Sequence, residues 1–247
     1  MPILKGILLL HVVGVVGTGA GGLIVACVGN PSRRTLSFLL GLAGGIMVSV
    51  VAFDLMPEAF ETGPTYLSLA GLSAGSGAAM CIDIFLPHVH HVSSDPLSSR
   101  LARAAAVVAI GIAMHNIPEG LAVGAGLAAG THIGLQVALM IFLHNMPEGI
   151  AVAGPLKAMG KGKAAVIGAA CQAGTPTLVG GIIGMLVGGV SPIVLSACMS
   201  FAAGAMLFIT FDELIPDSQE LAVNHSGTLG AVTGVIVNIV VSKMIGG

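Results

Sequence analysis

The stretch His115-Asn116-Ile117-Pro118-Glu119-Gly120 returns 29 residues later as His144-Asn145-Met146-Pro147-Glu148-Gly149, and both copies sit inside otherwise apolar sequence. Each copy places an imidazole, an amide and a carboxylate in hydrocarbon. On a helix, residues i and i+4 share a face and i+1 lies about 100° round, so the His, Asn and Glu of each copy converge on one arc. Two such arcs facing one another form a pocket with six candidate ligands: His115, Asn116, Glu119, His144, Asn145 and Glu148. Pro118 and Pro147 each remove a backbone donor within the helix, which frees the carbonyls of Met114 and Leu143 and is expected to bend both helices at the polar level.

Polar residues in membrane helices often serve only as interhelical glue. Glue does not require ionisable groups, and a carboxylate at mid-membrane costs roughly 2.5 to 3.5 kcal/mol even on the lenient insertion scale. Two carboxylates, each with an imidazole one turn before it, point instead to a cation. A mixture of imidazole nitrogen with amide and carboxylate oxygen suits a borderline divalent ion such as Zn²⁺, Fe²⁺, Mn²⁺ or Cd²⁺.

The surroundings of the motifs define a membrane protein. The chain has 247 residues, of which 55% are hydrophobic and 8% charged, with a mean hydropathy of +1.01. Nine Lys and Arg against eleven Asp and Glu provide no basic field for nucleic acid. Cys27, Cys81, Cys171 and Cys198 fall singly in apolar runs, so no disulfide framework is expected. The 37 glycines supply the small surfaces that helices need to pack closely in lipid. Trp is absent and Tyr66 stands alone, so the usual aromatic belt is missing.

Eight spans follow from the apolar runs, making one all-α polytopic transmembrane domain over residues 1–247. The run from Gly6 to Pro31 is too long for a signal-peptide core and reads as span 1. Spans 2 and 3 are expected at Leu36–Glu58 and Tyr66–Leu86, span 4 at about Leu101–Ala125 and span 5 at about Ile133–Ala153. Between Ala164 and Phe211 lie 48 residues without an ionisable side chain other than cysteine, broken at Gly188-Gly189-Val190-Ser191-Pro192, which makes spans 6 and 7. Span 8 is expected at about Thr228–Lys243.

Seven of the nine positive charges fall in loops on one side, at Arg33, Arg34, Arg100, Arg103, Lys157, Lys161 and Lys163. The positive-inside rule makes that side cytoplasmic and puts both termini outside, in a cell (inner or plasma) membrane. A loop at 87–100 would then be cytoplasmic, where His88, His90 and His91 can collect a metal.

A second repeat relates spans 2 and 7. The segment from Ala43 through Met47 to Glu61 matches that from Ala202 through Met206 to Glu220 at a constant offset of 159. Spans 2 and 7 run in opposite directions, as do spans 4 and 5, which is the mark of an inverted repeat of spans 1–3 against 6–8 around central motif helices. Such symmetry is typical of alternating-access carriers. Asp54, Glu58 and Glu61 fall at i, i+4 and i+7 at one end of span 2, and Glu213, Asp217 and Glu220 do so at the opposite end of span 7. These sets are expected to be cation funnels at two mouths, with Met47 on the same pathway.

These residues resemble the ZIP (Zrt-, Irt-like) family of divalent metal transporters, and the doubled His-Asn-x-Pro-Glu-Gly looks most like its bacterial and GufA-type branches. The likeness extends over nearly the whole chain. It implies a carrier of Zn²⁺ and related metals into the cytoplasm, with a two-metal site between spans 4 and 5 and no cofactor beyond the transported ion. By that resemblance His115, Asn116, Glu119, Asn145 and Glu148 map onto metal ligands, and His144 onto a ligand or near-ligand. Asp54 and Glu61 map onto entrance positions, and Asp212 and Glu213 onto exit positions. The family often adds a ligand from span 6, a Glu just before a Pro. Here Thr175 precedes Pro176, with Gln172 one turn earlier as the remaining candidate.

Two other classes compete. An intramembrane zinc-dependent hydrolase would use the same ligands to activate water, but the chain lacks His-Glu-x-x-His and every candidate base is already a ligand. A metal-sensing receptor would need an output domain for which the short loops leave no room. The expected partners are divalent metal ions and the lipid bilayer; a homodimer is admitted by the sequence but not required by it.

Overall fold

The computed structural model describes residues 3–29, 31–85, 112, 116–130, 132–222 and 224–246. They form helices and short connections. We number the helices by span: α1 (Ile3–Val28), α2 (Arg33–Thr62), α3 (Thr65–Phe85), α4 (residues 116–129), α5 (His132–Ala158), α6 (Lys163–Gly188), α7 (Pro192–Glu220) and α8 (Ser226–Gly246). Seven helices among the described residues are long and apolar enough to cross a membrane, α4 being the exception because only part of it is described. Most of the span expected from Leu101, with His115 and the loop bearing His88, His90 and His91, lies outside the described residues.

The helices begin and end where backbone chemistry requires. Ser32 caps α2 by accepting from the amide of Thr35 at 3.1 Å, and Ser191 caps α7 by accepting from Val194 at 3.2 Å. The Ser32 cap starts α2 ahead of its apolar run, which is why α2 begins at Arg33 rather than Leu36. Each helix then contains one π turn, Val51–Leu55 in α2 and Thr210–Leu214 in α7. The cause follows two residues later in both: Pro57 and Pro216 have no N–H for the carbonyl four residues back, and a wider turn absorbs the missing rung.

The offset of 159 read from the sequence therefore holds in the backbone, from cap to π turn. It also holds in the packing. Gly45 of α2 lies against the backbone of Ala231 in α8, and its counterpart Gly204 of α7 lies against Leu72 in α3. A Cβ at either position would collide with a carbonyl, so these pairs of backbones meet only because the residue is glycine. Reciprocal serine clasps tie the two halves together. Ser37 of α2 donates to the carbonyl of Ser218 at 2.8 Å, and Ser196 of α7 donates to that of Ala59 at 2.8 Å. The start of each helix thus meets the end of the other, so α2 and α7 run antiparallel.

Helices α2, α3, α7 and α8 pack into one bundle. Helix α5 packs on α1 and α6, and α4 meets α6 through Gly120 and Gly124. The apolar core joining the two groups runs through Ile46, Met47, Met140, Ile141, Met199 and Met206, all buried. The motif helices α4 and α5 are thereby held at the centre.

Candidate metal centre

Three ionisable side chains converge in that centre. His144 Nε2 lies 2.9 Å from Glu148 Oε1, one turn along α5, and 3.1 Å from Glu119 Oε1 on α4. All three side chains are 0% exposed, and their ligand atoms lie within 4.8 Å of one another. The i, i+4 spacing brings His144 and Glu148 together, and α4 packed beside α5 supplies the second carboxylate.

The rear of the imidazole is fixed by α2. His144 Nδ1 is 3.2 Å from the carbonyl oxygen of Ala43, which can only accept, so Nδ1 is the donor. That bond orients the ring and turns Nε2 towards both carboxylates, as a metal-binding histidine requires. Ala43 opens the repeated segment, so the span 2 repeat reaches the ligands through its backbone.

The two motif asparagines divide their groups in the same way. Asn145 Nδ2 donates to the carbonyl of Val13 at 2.9 Å, inside a π turn of α1 (Val12–Val16). Asn116 Nδ2 donates to the carbonyl of Ala173 at 2.8 Å, at the break in α6 before Gly174. Both bonds end where the neighbouring helix ladder is irregular. The amide nitrogens are occupied, and Asn116 Oδ1 and Asn145 Oδ1 are buried without a hydrogen-bond partner among the described residues. Oxygens of that kind suit a cation. The motif glycines complete the brackets: a Cβ on Gly149 would strike the backbone of Thr18, and one on Gly120 that of Thr177.

Thus Asn116, Glu119, His144, Asn145 and Glu148 are all fully buried near the centre of the fold. His115 lies outside the described residues. Gln172 is exposed, unlike the cluster, and Thr175 is exposed with its hydroxyl donating to the carbonyl of Cys171 at 3.3 Å. Span 6 therefore brings the carbonyl of Ala173 to the site, through Asn116, but neither of those two side chains.

The two acidic sets differ. Asp54 and Glu58 are only 3% and 8% exposed, whereas Glu61 is exposed. Asp54 accepts from Gln136 Nε2 of α5 at 2.5 Å, Ser242 Oγ of α8 at 2.8 Å and Asn238 Nδ2 of α8 at 3.0 Å. At this end of α2, α5 and α8 pack neutral donors over the Asp54 carboxylate. At the corresponding end of α7, Asp212, Asp217 and Glu220 are exposed and Glu213 is half-buried. Sequence reading did not single out Gln136, Asn238 and Ser242. Their signal was present, since an amide within an apolar span needs a partner.

The fold and site together define an all-helical, multi-pass membrane protein with a buried cluster of two carboxylates and an imidazole whose ligand atoms could hold a metal ion. The family model described as ZIP Zinc transporter matches residues 86–242. The protein described as Zinc transporter ZupT from Escherichia fergusonii is 35% identical over 233 residues, covering 87% of this chain and 88% of that one. Its counterpart from Salmonella newport is 35% identical over 236 residues, covering 88% and 89%. The chain belongs to the ZIP zinc transporter family. Membership makes it a divalent-metal transporter rather than an enzyme, and the hydrolase alternative falls away.

Proposed function

We propose that the protein carries Zn²⁺, and also Fe²⁺, Mn²⁺ and Cd²⁺, into the cytoplasm by alternating access through a site formed by α4 and α5. The observation that carries this reading is the fully buried trio Glu119, His144 and Glu148. Two carboxylates removed from water require a positive partner, and a dication held by nitrogen and oxygen meets both the charge and the donor chemistry. Asn116 and Asn145 add neutral oxygens that need no proton bookkeeping.

Alternating access is supported by the unequal mouths. A buried Asp54 and Glu58 at one end, with an exposed Asp212 and Asp217 at the other, is the arrangement of a carrier closed on one side. The inverted repeat supplies a mirror arrangement in which the exposures of the two ends exchange. The charge of the loops supports a cytoplasmic span 7 mouth with both termini outside, and the cell membrane is the location we propose. The three ionisable ligands come from one chain, so a homodimer is not needed to complete the trio.

Purified protein in liposomes loaded with a zinc-sensitive dye tests the proposal. Zn²⁺ entry is expected for the wild type and not for Glu148→Ala; equal entry in both would overturn the assignment of the site.

A further inference from the structure

The inverted repeat extends to the helices that brace the two asparagines, and there it is broken at one side chain. Thr18 of α1 and Thr177 of α6 stand at the offset of 159, both 0% exposed, and each lies against one motif glycine, Thr18 against Gly149 and Thr177 against Gly120. About one turn earlier, each helix offers a carbonyl to a motif asparagine: Val13 of α1 to Asn145, and Ala173 of α6 to Asn116.

The two hydroxyls differ. Within a helix a threonine hydroxyl ordinarily donates to the carbonyl four residues back. Thr18, Thr62, Thr175, Thr210 and Thr233 all do so, at 2.7 to 3.3 Å. Thr177 does not: its Oγ1 is buried without a hydrogen-bond partner among the described residues. The carbonyl four residues before it is that of Ala173, which the Asn116 amide holds at 2.8 Å. Thr175 reaches Cys171 across the same break in α6, so the break does not itself prevent a bond of this span.

One residue of backbone makes the difference. The π turn of α1 over Val12–Val16 widens the helix, and α1 presents two adjacent carbonyls, Val13 for Asn145 and Gly14 for Thr18. Unlike the π turns of α2 and α7, this one has no proline after it within the helix. In α6 the ladder breaks at Gly174 instead, and Asn116 and Thr177 have the carbonyl of Ala173 between them. A buried hydroxyl left unpaired is costly. A contact needed only for packing would repeat the α1 arrangement or carry an apolar residue at position 177.

We infer that Thr177 is a positioning residue of the metal centre: its hydroxyl competes with the Asn116 amide for the Ala173 carbonyl, which makes Asn116 the releasable ligand and Asn145 the fixed one. The inference rests on the reading of this cluster as the site of a transported cation. With the ion held, Asn116 Nδ2 occupies Ala173 and Oδ1 is left for the ion. When Asn116 turns away, rotation about one side-chain bond brings the Thr177 hydroxyl onto Ala173, so one hydrogen bond replaces another. Asn145 has no such substitute at Val13, because the Thr18 hydroxyl is committed to Gly14. A carrier gains from the asymmetry, since its site must be weak enough to empty.

Thr177→Val keeps the shape of the side chain and removes the competing donor. Zn²⁺ is then expected to bind about threefold to tenfold more tightly, the worth of one neutral hydrogen bond, and to dissociate more slowly by a similar factor. Equilibrium dialysis with radioactive zinc reads the affinity, and stopped-flow mixing with a chelating dye reads the dissociation. In liposome flux the KM and the turnover should fall together, a combination that misfolding does not imitate. Thr177→Ala removes the same hydroxyl at smaller volume and should also tighten binding, whereas Thr177→Ser and Thr18→Val should not. In an Asn116→Ala background, where nothing competes for Ala173, Thr177→Val should have no further effect. Unchanged affinity in both Thr177→Val and Thr177→Ala would overturn the inference by leaving the hydroxyl idle, and weaker binding in both would overturn it by making the hydroxyl a direct ligand. Zn²⁺ flux by the wild type, measured separately, decides the transport reading: flux without the tightening sinks only the inference, and the tightening without flux sinks only the transport reading.

Discussion

His144 is held from behind by Ala43: the ring nitrogen Nδ1 donates to a backbone carbonyl of α2 at 3.2 Å, which commits Nε2 to the two carboxylates. A metal ion can bind Nε2 only as a free lone pair, so proton and metal compete for the same atom. Zn²⁺ binding is therefore expected to release protons and to weaken as pH falls. Calorimetry in two buffers of different ionisation enthalpy reads the release directly. Equal apparent enthalpies in both, together with affinity independent of pH, would remove His144 from the ligand set.

Glu119 and Glu148 lie on different helices yet both face His144 Nε2, so losing either leaves a dication with half of its counter-charge. Glu119→Ala and Glu148→Ala are each expected to lower Zn²⁺ affinity about 100-fold or more and to abolish uptake, while the protein still inserts. Equilibrium dialysis with radioactive zinc checks the first effect and liposome flux the second. Near-normal flux in either variant would return the cluster to the role of interhelical glue.

Asn145 and Gly149 both connect α5 to α1, one through the carbonyl of Val13 and the other by close approach to Thr18. Their substitutions should be separable. Asn145→Ala loses one interhelical bond and one ligand oxygen, so affinity should fall about 10-fold with a stability loss of only about 1 kcal/mol. Gly149→Ala drives a methyl into backbone and should destabilise by about 1 to 3 kcal/mol, with metal affinity lost only as the helices part. Thermal unfolding in detergent, with and without Zn²⁺, distinguishes the two. If Gly149→Ala is as stable as the wild type, the close contact drawn between α5 and α1 is wrong.

The pattern of His, Asn and Glu in apolar sequence was enough to bring polar groups of α4 and α5 together, because helical spacing alone puts His144 over Glu148. The repeat at 159 was equally legible, since Pro57 and Pro216 punctuate both helices at one register and produce the π turns there. The bonds that finish the site were not legible. Ala43 and Val13 act through carbonyls, which every residue has, so no side-chain pattern marks them. The burial of Asp54 was also beyond reach: its i, i+4, i+7 spacing to Glu58 and Glu61 describes a face, whereas the neighbours α5 and α8 decide whether that face is wet. Gln172 was a candidate by its spacing from Pro176, and its side chain is exposed.

The difference between the two mouths can be read by chemical access. Asp54 is buried under Gln136, Asn238 and Ser242, while Asp217, at the matching end of α7, is exposed. Two single-cysteine variants, Asp54→Cys and Asp217→Cys, in a background with the four native cysteines replaced by serine, report the state of each end. With Zn²⁺ absent, a membrane-impermeant maleimide should modify Asp217→Cys from the cytoplasmic side and leave Asp54→Cys unmodified from either side. Because Asp54 itself helps to hold its end closed, Glu58→Cys serves as the control that leaves those bonds intact, and it too should resist. A ligand shifts a two-state carrier only by its differential affinity for the two states. Zn²⁺ that binds better when the α2 end is open should raise the labelling rate of Glu58→Cys severalfold and slow that of Asp217→Cys. Rates at both ends that rise together would mean a continuous pore in place of alternating access, and labelling of Asp217→Cys from outside the cell would reverse the orientation inferred from the charged loops.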